Sequence, residues 1–196
     1  MTDSTTSAMP PMFGYTILGS LNPPSYPLIR ISKAVKSVTT ITPANPQDDS
    51  YWFVILDANN PVNKVKEWIV PANGGNSAVP PGFDTYITNP AYLFAVVTQS
   101  ISNAYVPQGD LYDLLAAHGA GRQLQRLEAI NIHTGCGQAG RCSYVLTGLG
   151  GPPNVVGNSY EVASVDYAAL LVMSLMPQPN GKPPYSICDS YTFWTR

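Results

Sequence analysis

The stretch from residue 83 to residue 151 constrains the fold most, because four short patterns follow one another there in a fixed order. Residues 83–86 (Phe-Asp-Thr-Tyr) and the apolar run at residues 91–97 have the composition of strands. Residues 109–119 have the leucine spacing of a helix, and residues 143–151 form another β pattern. The order strand, strand, helix, strand predicts one folded unit.

Leucine spacing predicts the helix over residues 110–117. Leu111, Leu114 and Leu115 share one face at positions i, i+3 and i+4. A glycine and an aspartate at its start both suit an N-cap, and Gly119 follows its last apolar turn. Because glycine adopts left-handed backbone at low cost, we expect a positive φ at Gly119.

Residues 51–56 form a continuous apolar run of strand length. Such a run is typical of a strand covered on both faces, and therefore of a central one. Residues 57–61 (Asp-Ala-Asn-Asn-Pro) predict a turn rather than a calcium loop, and residues 62–70 predict the partner strand. Residues 71–82 carry glycines and prolines and predict a long surface loop.

Further β patterns flank this unit. Residues 16–21 and 28–41 are rich in apolar and β-branched residues. Residues 123–132 fit a strand or a second short helix, and we favour the strand. Residues 160–176 are β candidates whose Ala and Leu content also suits a helix, and residues 185–194 complete the series.

The predicted fold class is therefore α+β and mostly β, a β-sandwich-like single domain with one short helix. A length of 196 residues suits one domain with arms. We predict an N-terminal arm at residues 1–27 and a single β-rich domain at residues 28–196, because Pro-Pro breaks and polar residues dominate the first segment.

Composition restricts the partners. Only 11% of the residues are charged and the formal net charge is −2, so no basic stripe favours nucleic acid. A polar, weakly charged surface favours glycan or protein partners and possible homo-oligomers. No apolar run approaches the roughly 20 residues of a membrane span, and the N-terminal residues show no secretory pattern, so we predict no membrane insertion and assign no location.

No constellation predicts catalysis, a metal or a cofactor. His133 and Cys136 pair an imidazole with a thiol, yet their loop fixes no geometry. His118 and Cys142 add ligand types without the spacing of a zinc motif. Residues 148–151 contain glycines but lead into prolines instead of a helix. Cys136 and Cys142 close a Gly-rich loop that fits a disulfide or free thiols equally.

The order of these motifs, over about residues 50–153, resembles the interleukin-like EMT inducer (PANDER-like) domain. The matching motifs are Phe-Val-Ile-Leu-Asp with a turn, Phe-Asp-Thr-Tyr, Ala-Val-Val-Thr, Asp-Leu-Tyr-Asp-Leu-Leu with a following Gly, and Arg-x-Ser-Tyr-Val-Leu-x-Gly. The resemblance implies a compact β-sandwich-like fold with a helix. Such domains occur in secreted signalling proteins and as the glycan-binding stem module of a glycosyltransferase.

This chain departs from the family pattern at three places. The loop before Phe83 is longer, Gln99 and Ser100 replace an acidic residue, and Arg141 is followed by Cys142 instead of Asp. The resemblance places Arg141 where a glycan-contacting arginine falls. We accordingly predict Arg141, Gln99 and Ser100 as ligand-binding residues.

The sequence thus predicts a domain that binds and does not catalyse, with carbohydrate recognition as its function. The alternative is a structural, self-assembling subunit such as a virion or filament component, which the low charge and the Pro-rich arms also suit. Neither prediction involves a cofactor. Glycan binding and concentration-dependent size distinguish the two.

Overall fold

A computed structural model describes residues 11–22, 25–33, 37–134, 140–155, 159–178 and 184–195. Within these ranges the strands are β1 Phe13–Leu18, β2 Leu28–Lys33, β3 Ser37–Ile41, β4 Ser50–Asp57, β5 Asn60–Pro71, β6 Tyr92–Gln99, β7 Ile101–Ser102, β8 Arg141–Leu149, β9 Ser159–Ser164, β10 Ala168–Pro177 and β11 Tyr185–Thr195. The helices are α1 Ala72–Gly75, α2 Phe83–Ile87, α3 Gly109–Ala117 and α4 Arg122–Thr134, with a 3₁₀ turn at Asn103–Tyr105. Strand predominates, which confirms the predicted α+β, mostly β class.

The strands form two antiparallel sheets. The first has the order β11-β10-β1-β2-β3, and the second has the order β5-β4-β6-β8-β7 with β9 also paired to β8. Alternation along β1 and β2 explains the first sheet: Tyr15, Ile17, Ile29 and Ile31 are buried, while Arg30 between the two isoleucines is exposed. The sandwich-like architecture predicted from the sequence is confirmed.

Strand β4 is central, as its continuous apolar run predicts. It pairs with β5 on one side and β6 on the other, and its residues from Ser50 to Leu56 are buried. Trp52 and Val54 point into the core shared with the first sheet, whereas Phe53 and Ile55 point into a second core beneath the helices. The molecule therefore has three layers: sheet, sheet and helices. A side chain such as Phe53 or Ile55 contributes roughly 1.5–3 kcal/mol when fully buried.

Helix α4 is held at its N-terminus by a carboxylate from β9. Glu161 Oε1 accepts the N–H groups of Gly121 and Gln123, both at 2.8 Å, and Oε2 accepts that of Leu124 at 3.3 Å. The hydroxyl of Tyr144, which is fully buried, donates to Oε2 at 3.1 Å. These contacts satisfy backbone groups that the first turn of a helix leaves unpaired.

Three local predictions are corrected. Residues 83–86, predicted as a strand, form the start of α2, where Phe83 and Ile87 bury one side at i, i+4 spacing. Residues 123–132, predicted as a strand, lie in α4, because Leu124 and Leu127 bury one face and Glu161 caps the start. Instead of one short helix, the described residues form four.

Other boundaries are refined. Residues 28–41 contain two strands and residues 160–176 contain parts of two. Part of the predicted arm at residues 1–27 belongs to the first sheet, because β1 hydrogen-bonds to β10 on one side and β2 on the other. The turn predicted at residues 57–61 is confirmed, with the Asn59 N–H donating to Asp57 Oδ1 at 2.8 Å.

Candidate functional site

A polar network lies where β6 ends. Ser100 has φ +51° and is fully buried, and its N–H donates to the Ser20 carbonyl at 2.8 Å. Its hydroxyl donates to the Leu21 carbonyl at 2.5 Å. Gln99 is 1% exposed, and its Nε2 donates to Asp48 Oδ1 at 3.3 Å. Ser100 thus ties the segment before β2 to the end of β6, and Gln99 ties the loop before β4 to it.

The structure brings the three predicted ligand residues together. Arg141 Nη1 donates to the Ser100 carbonyl and to Ser100 Oγ, the latter at 3.0 Å. Arg141 is exposed, whereas Gln99 and Ser100 are buried. The Gln99 side chain is bonded to the Asp48 carboxylate and the Ser100 hydroxyl to a backbone carbonyl, so among the three only Arg141 offers exposed surface to a ligand.

A turn between β9 and β10 lies at the same end of the sheet. Ser143 pairs with Ser164, which places Ser164 close along β8 to Arg141. Ser164 is 7% exposed, and its hydroxyl accepts the N–H groups of Asp166 at 3.2 Å and Tyr167 at 3.0 Å. A serine that bonds the backbone in this way fixes a tight turn. The turn therefore presents Asp166 and Tyr167 in a defined orientation.

Helix α4 and this turn enclose an open cleft of about 280 Å³. Its lining residues are Arg126, Ser164, Val165, Asp166 and Tyr167. The lining residues thus carry guanidinium, carboxylate, phenol and hydroxyl groups together with an apolar side chain. A few polar groups placed around a concave surface are the usual form of a small-molecule site.

The two charged groups of the cleft are available. Arg126 and Asp166 are both exposed, and within the described part of the chain neither forms an ion pair. Arginine offers only donors and an ionised carboxylate offers only acceptors. The cleft therefore presents both hydrogen-bonding roles side by side.

Two other surfaces fit a polar ligand less well. A groove of about 530 Å³ lies at the opposite end of β9, and its described lining carries no charged side chain: Ala116, Ala117, Gly119, Ala120, Asn154, Val155 and Ser159. The half-buried ring of Tyr86 forms edge contacts with the half-buried rings of Trp68 and Tyr92. Lys66 Nζ already lies over the Trp68 ring, 4.8 Å from its centroid. These rings are occupied by the protein's own groups.

The groups considered for catalysis or metal binding do not assemble in the part of the chain that the structure describes. No three His, Cys, Asp or Glu side chains group closely enough there to hold a metal ion. Cys142 is a free, buried thiol, and burial raises its pKa to about 12. His118 Nδ1 lies 2.9 Å from the Leu114 carbonyl. Cys136 lies outside the described residues, as does the side chain of His133.

None of the helices in the described part of the chain is long and apolar enough to cross a bilayer.

Sequence reasoning missed Arg126, Asp166 and Tyr167. A single β segment across residues 160–176 hid the turn, although a serine followed at the second position by an aspartate signals one. Because residues 123–132 were predicted as a strand, Arg126 was not placed on the face of a helix. The spacing of buried Leu124 and Leu127 was the available signal for α4.

Neither a protein-family model nor a curated protein matches this chain.

Proposed function

We propose that this chain is a non-catalytic binding module that recognises carbohydrate in the cleft between α4 and the β9–β10 turn. The observation that carries this proposal is the convergence of Arg126, Asp166 and Tyr167 around one open cleft of about 280 Å³. The two charged groups have no ion-pair partner within the described ranges and are exposed to a ligand.

Sugar chemistry suits this set of groups. Neighbouring hydroxyls on a pyranose ring each donate and accept, so Asp166 accepts from one while Arg126 donates to the next. Hydrogen bonds with one ionised partner are shorter and about twice as strong as neutral ones. The ring of Tyr167 and the side chain of Val165 supply apolar surface for the C–H face of the sugar.

The size and position of the cleft set the kind of ligand. A volume of about 280 Å³ is close to the lower end of small-molecule pockets, roughly 300–1,000 Å³. It therefore suits one sugar residue at the end of a glycan. Arg141 lies at the same end of the sheet and is exposed, so it contacts a following sugar. The resemblance to the interleukin-like EMT inducer domain, one member of which is a glycan-binding stem module, supports the same proposal.

The test is a titration of the protein with a panel of neutral, amino and acidic oligosaccharides, in which binding is monitored through the amide chemical shifts of the protein. Shifts are expected at residues 164–167 and in α4. Arg126→Ala and Asp166→Asn should each weaken binding about ten-fold, the equivalent of one lost charge-assisted hydrogen bond of roughly 1.5 kcal/mol. Arg141→Lys should weaken it less, because lysine keeps the charge and loses the paired donors.

Arg122→Ala is the matched control, since Arg122 is exposed on the same helix and lies outside the cleft lining. Its affinity should equal that of the unmodified protein. The proposal fails if no oligosaccharide binds, or if Arg122→Ala weakens binding as much as Arg126→Ala.

A further inference from the structure

Strand β3 is an edge of the first sheet. It ends the order β11-β10-β1-β2-β3, and among the described strands it pairs with β2 alone. The outer side of an edge strand presents unpaired backbone N–H and C=O groups to its surroundings. Such an edge pairs readily with another strand unless the sequence prevents it.

The sequence of β3 does not prevent pairing. Ser37–Ile41 reads Ser-Val-Thr-Thr-Ile, with no charge, no proline and no glycine, and four of the five residues are β-branched. Val38 is 58% exposed, and Thr40 is exposed beside it. Charged residues, proline and bulges usually protect an edge strand from pairing. Strand β3 contains neither a charged residue nor a proline.

Strand β5, an edge of the second sheet, shows the contrast. It carries Lys64, Lys66 and Glu67, and Lys64 Nζ lies 2.7 Å from Glu67 Oε1. Its pairing with β4 is irregular between Ile55 and Leu56. The same chain thus protects one edge with charges and a bulge, while β3 pairs with β2 in an uninterrupted register and carries no charge.

We propose that β3 pairs with β3 of a second copy of this chain, in antiparallel orientation about a two-fold axis. Thr39 then faces the partner's Thr39, and Val38 faces the partner's Thr40. A two-fold interface needs one patch that complements itself, and an uncharged β-branched strand meets this requirement. A net charge of −2 on 196 residues leaves little repulsion between the copies. The two five-stranded sheets become one.

The register of β3 on β2 gives a sharp test. Val38 pairs with Ser32 and Thr40 with Arg30, on the face where Arg30 is exposed. Charges introduced at positions 38 and 40 therefore point to solvent in a single copy. Across the two-fold axis, however, they lie directly opposite each other, where like charges repel and opposite charges attract.

The experiment measures mass against concentration by sedimentation equilibrium for the full chain and two double variants. The unmodified protein should rise from 21.0 kDa towards twice that mass. Val38→Lys/Thr40→Lys, which sets lysines against lysines, should weaken self-association at least ten-fold. Val38→Lys/Thr40→Glu, with the same number of new charges, sets lysine against glutamate and should retain the dimer. Thermal melts verify that both variants fold.

Three outcomes overturn the proposal. One is an unmodified protein that stays at 21.0 kDa at every concentration, which leaves β3 for another partner or for none. Another is a lysine–lysine variant that associates as strongly as the unmodified protein. The last is a lysine–glutamate variant as weak as the lysine–lysine one, because simple disruption of the strand then explains both. Glycan titration of the same variants is independent, since β3 does not line the cleft.

Discussion

Substitution of Glu161 tests a side chain that accepts four hydrogen bonds. Its carboxylate accepts the N–H groups of Gly121, Gln123 and Leu124 at the start of α4 and the hydroxyl of Tyr144 beneath it. Two changes separate its charge from its shape. Glu161→Gln keeps one acceptor oxygen and removes the charge, whereas Glu161→Ala removes both.

The contacts give the magnitudes. A negative charge at a helix N-terminus contributes about 0.3–1 kcal/mol at an exposed site and up to about 2 kcal/mol when partly buried. Glu161 is partly buried, so Glu161→Gln should lower the free energy of unfolding by about 1–2 kcal/mol. Glu161→Ala also removes the helix cap, at about 1 kcal/mol. It leaves the fully buried Tyr144 hydroxyl without its acceptor, at about 1–3 kcal/mol more. The sum, about 3–6 kcal/mol, is a large part of the stability of an ordinary domain.

Urea unfolding followed by far-ultraviolet circular dichroism measures these differences. Tyr144→Phe removes the hydroxyl alone, so in the double variant with Glu161→Ala part of the loss should disappear. The reasoning is refuted if Glu161→Ala lies within about 0.5 kcal/mol of the unmodified protein, the usual range for a surface substitution. Strictly additive single and double variants would show that the Tyr144 hydroxyl does not depend on Glu161.

Two further predictions concern a glycine and a thiol. Gly119 has φ +98°, and an added Cβ overlaps the Ser159 hydroxyl and lies 2.8 Å from its Cβ, so Gly119→Ala should lower stability by about 1–2 kcal/mol in thermal melts. Adding Ser159→Gly should restore the part of the stability that the overlap with Ser159 removes. A Gly119→Ala protein as stable as the unmodified one would contradict the left-handed backbone at the end of this helix. Burial raises the pKa of Cys142 from 9.0 to about 12, with Asp49 adding to the shift, so only the unfolded chain ionises this thiol at pH 9–10. This thiol should therefore leave stability unchanged below about pH 9 and lower it by up to about 1.4 kcal/mol per pH unit above it. Cys142→Ala should remove that part of the slope and leave the part due to buried tyrosines, whose pKa values burial also raises.

The strands were the most predictable part of the fold. The run at residues 51–56 has the length and composition typical of a strand buried on both faces, and β4 is that strand. The positive φ of Gly119 was equally predictable, because a glycine after the last apolar turn of a helix is typical of a left-handed helix end. In both cases the physical cause lies within a few residues of sequence.

Two of the three helices that sequence reasoning missed, α2 and α4, depend on distant residues. Helix α2 is only five residues long and is held by Phe83, whose ring packs 5.0 Å from that of Phe53 on β4. Helix α4 begins where Glu161, far along the chain, supplies its cap. A window of neighbouring residues contains neither partner. The intrinsic propensities of the local residues therefore favoured β structure both at residues 83–86 and at residues 123–132.

The candidate cleft could not be predicted for the same reason, since its walls come from α4 and from the turn after β9. Strand β9 positions both: Glu161 holds the start of α4, and Ser164, three residues later, fixes the turn. This arrangement separates residues that contact a ligand from residues that position the contacts. Arg126→Ala should weaken glycan binding and leave the melt unchanged, because Arg126 is exposed. Glu161→Gln should weaken binding and stability together, because α4 moves with its cap, and binding unaffected by Glu161→Gln would show that α4 is positioned by its apolar face alone.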